Sequence, residues 1–139
     1  MKIKLFIKII LISVFVFVAN SNTIAQESDM KIENDGVFIM VEKMPKFPGG
    51  MLALRKHLAF NIIYPEKARK AHVQGTVYIR FVILKDGDIG EVKVLRGVDH
   101  VLDAEAVRVV KTLPKFEPGE QRGKKVKVWF SVPIKFTLN

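Results

Sequence analysis

The sequence predicts an α+β fold, a two-layer sandwich of a three-stranded antiparallel sheet and two helices over residues 64–139, preceded by a strand and helix extension over residues 37–63. Three observations carry this. Apolar residues alternate with period two over residues 76–84 and again at Val126, Val128, Phe130, Val132 and Ile134, as in half-buried strands. Between those stretches Leu102, Ala106, Val109, Val110 and Leu113 recur at the spacing of one helix face. Asp86-Gly87 and Glu117-Pro118-Gly119 stand where the chain must turn between elements.

Residues 1–25 precede the fold and have the pattern of a secretory signal peptide. Lys2, Lys4 and Lys8 form a positive start, residues 9–19 are apolar apart from Ser13, and Thr23-Ile24-Ala25 ends on a small residue. Those apolar residues, as a helix, reach about 17 Å against a hydrocarbon core of about 30 Å. Cleavage is therefore expected, with an uncleaved membrane anchor as the competing reading. The leader's three lysines take the net charge from +9 to +6. There is no cysteine, so an exported domain of this composition relies on packing rather than disulfides. Residues 26–36 are polar, carry mixed charge and read as a flexible leader to the domain.

The elements follow in order. Residues 37–42 (VFIMVE) form a short apolar run suited to an added strand. Two prolines and two glycines over residues 44–50 break regular structure, with Phe47 as an aromatic plug. A helix follows with Leu52, Leu54 or Arg55, Leu58 and Ala59 near helical spacing. Pro65 takes the favoured first helical position of a short helix that buries Ala68 and Ala71. Gly75 starts a strand whose Val77, Ile79, Phe81 and Ile83 share one face and Thr76, Tyr78 and Arg80 the other. The return strand covers residues 89–95, with a bulge or twist expected at Gly90. Asp99 is the expected N-cap of the next helix, Asp103 and Glu105 suit its first turn, and Pro114 stops it. One long final strand is expected over residues 124–138, its even positions on the core and Lys125, Lys127 and Trp129 pointing the other way.

Chemical sites fare poorly beside structural explanations. His57, His72 and His100 fall in three separate elements, without the paired spacing that puts two metal ligands on one helical face. Asp86, Asp88 and Glu91 offer oxygen ligands, yet miss the spacing of a calcium loop and are explained by a hairpin turn. Capping and dipole compensation account for Asp99, Asp103 and Glu105 without acid and base work. Ser28 and Ser131 lack a nucleophile elbow. No catalytic residue, metal site or cofactor is expected. Lys124, Lys125 and Lys127 with Trp129 have the composition of a nucleic-acid surface. Export argues against nucleic acid, and lysines on a terminal strand commonly blunt an exposed edge.

The ordered set Tyr64-Pro-x-x-Ala68-Arg69, Gly75, the alternating strand through Phe81, Asp86-Gly87, Leu102-Asp-x-Glu-Ala106 and Phe116-x-Pro118-Gly119 resembles the C-terminal domain of the TonB energy-transducing family. The preceding Val41-Glu-x-Met-Pro-x-Phe-Pro-Gly-Gly50 looks like the extension of TonB-like proteins of the Bacteroidetes type. The resemblance implies a non-enzymatic periplasmic module. Its partner would be the extended TonB box of outer-membrane TonB-dependent receptors, captured by pairing with the last strand. An uncleaved leader would add an inner-membrane anchor facing the periplasm, contact with a proton-driven motor and energy transduction. A spacer-like proline cluster is not seen among the six prolines. A self-pairing homodimer with a structural role is the alternative of another class.

Carried over residue by residue, the peptide-binding candidates are Asn61, Ile62, Ile63, Tyr64 and Pro65, before the first helix of the domain, and Lys125, Val126, Lys127, Val128, Trp129, Phe130 and Val132 on the last strand.

Overall fold

A computed structural model describes residues 35–139. The expected signal peptide and most of the expected leader lie outside the described residues. Three helices, α1 (Gly50–Asn61), α2 (Glu66–Lys70) and α3 (His100–Lys111), accompany five strands, β1 (Gly75–Ile83), β2 (Ile89–Arg96), β3 (Gly119–Gln121), β4 (Lys124–Val126) and β5 (Val128–Phe136). An antiparallel sheet of order β2-β1-β5 forms one layer, and β3 and β4 make a separate hairpin. No helix of the described residues is long and apolar enough to cross a membrane.

The strand alternation places the core as expected. Val77, Ile79, Phe81 and Ile83 of β1 are fully buried and face α3, whose Leu102, Ala106, Val109 and Val110 are equally buried. Asp99 caps α3 by accepting from the Val101 N–H at 2.9 Å, while Asp103 accepts from the Val98 N–H. Gly87 turns the β1–β2 hairpin at φ +90° with the Phe116 N–H bonded to its carbonyl, and Asp86 accepts from the Asp88 N–H. The register slips by one residue between the Phe81 and Ile83 pairings, which puts a bulge across Gly90 and Glu91. Phe47 is the expected plug, edge-on to Phe116 with ring centroids 5.3 Å apart.

Several expectations are corrected. Residues 37–42 are not a regular strand: Phe38 alone pairs with the sheet, by a parallel bridge to Val128. Val37 and Val41 both turn inward while Met40 is exposed, because the segment leaves the sheet to bring Lys43 and Lys46 beside Glu120 and Glu117. The long final strand is two strands. Arg122 and Gly123 both adopt positive φ, reversing the chain so that Lys124–Val126 pairs with β3 before Val128 begins β5. Pro65, at ψ 133°, caps α2 from outside instead of entering it. Ala71, at the end of α2, is exposed, so that helix buries only Ala68; Leu52 and Ala59 are exposed too, so α1 buries only Leu54 and Leu58.

Trp129 does point away from the main core, yet it is buried. Val37 and Val82, with Ile39 and Leu84, form a second apolar cluster around it, and the Arg80 guanidinium lies 4.1 Å from its ring.

Candidate peptide-binding edge

β5 is an edge strand, and alternation along an antiparallel ladder sends successive backbone groups to opposite sides. The Lys127 carbonyl and Trp129 N–H point away from β1, because both are bonded to Phe38, at 2.9 and 2.8 Å. The same outward row continues through Ser131, Pro133 and Lys135, while Val128, Phe130, Val132, Ile134 and Phe136 turn their backbone groups towards β1. Pro133 has no N–H, and its outward position means that no bond to β1 is lost. The edge open to an added strand therefore consists of the N–H and carbonyl of Ser131, the carbonyl of Pro133, and the N–H and carbonyl of Lys135.

A groove of about 640 Å³ lies against this half of the strand, with Leu58, Ile62, Tyr64, Pro133, Ile134 and Phe136 among its lining. Arg55 and Lys135 bring positive charge to it. Tyr64 stands edge-on to Phe136, with ring centroids 5.7 Å apart, and its hydroxyl donates to the Val73 carbonyl. Neighbouring Phe60 and Ile63 expose large apolar side chains, 86% and 66% accessible, an arrangement that favours a covering partner.

The segment leading to Tyr64 is held from behind by α3. Glu105 accepts from the Ile63 N–H at 2.7 Å, and Arg108 donates both to Glu105 and to the Asn61 carbonyl. Burial by itself would raise the Glu105 carboxyl. The hydrogen bonds from Arg108 and Ile63 and the Arg108 charge outweigh burial and hold it below the ordinary glutamate range. Glu105 is thus a tether between elements, beyond the dipole compensation expected of a first-turn acid. Its partner lies 42 positions earlier, and no local spacing announces that.

The sequence-derived residues divide accordingly. Ile62 and Tyr64 line the groove, Asn61 and Ile63 have backbone groups committed to α3, and Pro65 caps α2 beside them. Lys125 and Val126 belong to β4, paired with Glu120 and Gly119. Lys127 and Trp129 lie where Phe38 occupies the edge, and Val128, Phe130 and Val132 contribute core side chains to β5. Pro133, Lys135 and Phe136 also line the groove and belong to the final strand, Val126 to Phe136, that the resemblance implies, whereas Arg55 lies outside the expected set. The odd-position row from Trp129 onward is the signal that singles out Pro133 and Lys135 within that strand. Among the described residues no group of three metal-ligating side chains occurs.

Residues 61–138, more than half of the chain, match the family model described as Gram-negative bacterial TonB protein C-terminal. The chain is 36% identical over 77 residues, 55% of its length, to the Pseudomonas aeruginosa protein tonB2, and the match spans 28% of that relative. The solution structure of the Helicobacter pylori TonB C-terminal domain superposes with a TM-score of 0.50 over 63% of this chain and 79% of that one, at 19% identity. That likeness is one of fold.

Proposed function

Because the chain belongs to the family of Gram-negative bacterial TonB C-terminal domains, we propose that it is a periplasmic, non-enzymatic module that captures the extended TonB box of an outer-membrane receptor by strand addition to β5 in TonB-dependent transport. The observation that carries this is the run of outward backbone groups at Ser131, Pro133 and Lys135 beside an apolar groove. Strand addition needs both: main-chain bonds give affinity, and a neighbouring pocket for alternate side chains gives selectivity. Each ladder bond contributes about 0.5 to 1.5 kcal/mol net, so a handful supports reversible binding in the micromolar to millimolar range.

Titration with a labelled TonB-box peptide tests the proposal. Saturable binding is expected, weakened about tenfold by Ser131→Pro, which deletes an outward donor and leaves the β1 ladder intact. No binding at millimolar peptide, together with a stable dimer by light scattering, would instead favour the self-pairing reading.

A further inference from the structure

We propose that the segment around Phe38 is a built-in, reversible occupant of the β5 edge, a strap that competes with any peptide pairing along the whole strand. The inference rests on the peptide-binding reading above and adds a regulation to it. Phe38 makes with Lys127 and Trp129 the two backbone bonds that an incoming strand would make there. A peptide paired only at Ser131, Pro133 and Lys135 leaves the strap in place. One that extends to Trp129 has to displace it.

The strap is built to be released. It contributes one bridge and no continuous ladder, and its side chains join the small cluster of Val37, Val82 and Trp129, apart from the main core. Farther along, the backbone bonds of Lys43 with Glu120 and of Lys46 with Glu117 hold the segment to the β3–β4 side of the domain. A released strap thus stays tethered and can rebind without diffusing away. Loss of the two ladder bonds alone places the competition on the scale of about tenfold in peptide affinity or more.

Trp129 is the only tryptophan, so its emission reports the strap directly. Val37→Asp, which charges the strap without altering β5, should shift that emission to the red while circular dichroism stays unchanged. Phe38→Pro removes the Phe38 N–H that bonds the Lys127 carbonyl, together with the phenyl ring, leaves β5 unaltered and serves as the second variant. A synthetic TonB-box peptide long enough to reach Trp129 is expected to bind both variants about tenfold more tightly than the parent chain. Equal affinity for parent and variants would overturn the strap and leave the peptide reading standing. Binding to none of them would defeat the peptide reading. The strap is then decided by a peptide copying residues 35–43: binding to Val37→Asp with return of blue emission supports it, and failure to bind overturns it.

Discussion

The Glu105 carboxylate joins α3 to the segment that shapes the groove, through the Ile63 N–H and through Arg108 to the Asn61 carbonyl. Replacing it with Gln keeps an acceptor but loses the charge, and thermal unfolding should show a loss of about 1 to 2 kcal/mol. The pH dependence has a definite sign. A carboxyl held low in the folded state stabilises above the unfolded value, near 4.5, and that stabilisation is lost as pH falls through the lower folded value. The parent should therefore lose more melting temperature than Glu105→Gln between about pH 5 and pH 3. Asp86, held low first by the Asp88 N–H, titrates in both proteins and cancels in the comparison. At Gly87 a Cβ would stand 1.9 Å from the Phe116 carbonyl oxygen, at φ +90°. Gly87→Ala should cost more than about 2 kcal/mol in denaturant unfolding. The turn at Gly87 is legible from Asp86-Gly87 alone, whereas the Phe116 contact belongs to tertiary structure and has no local signature.

β5 shows at the scale of an element what a periodic pattern conveys and what it omits. The even positions correctly identify the buried side, with Val128, Val132 and Ile134 almost inaccessible. Val128→Asp is expected to unfold the domain or lower its stability by more than about 3 kcal/mol, since a carboxylate there has neither water nor partner. An unchanged melting temperature would refute that assignment. The break at Lys127 escapes the same pattern because Val126 keeps the even register although its strand has turned to another partner. Arg122 in a left-handed conformation is an uncommon device, so the turn at Arg122-Gly123 is weakly announced. The burial of Trp129 was hidden for a related reason, as its cover comes from Val37, 92 positions earlier. Periodicity reports which face a residue is on, and only the fold decides whether that face is covered.

Across the whole molecule, β1 is the centre, paired on both sides and packed on α3. The apolar periods and turn residues were enough to give this architecture, because each strand and helix of the core is locally consistent with its place. The partition of the β5 edge was not, because it depends on a one-residue bridge. Stability should grade accordingly: hydrogen exchange read by mass spectrometry is expected to be fastest over residues 37–46, held by scattered bonds, and slowest in β1. Uniform protection would mean that the strap belongs to the global folding unit. Pro133 has a consequence at this scale too. An exposed edge in a crowded compartment is a seed for fibrils, because each copy templates the next by an unbroken ladder. With no donor at the middle of its open row, this edge accepts a short guest but makes a poor template for stacking copies of itself, so it can remain available without nucleating amyloid.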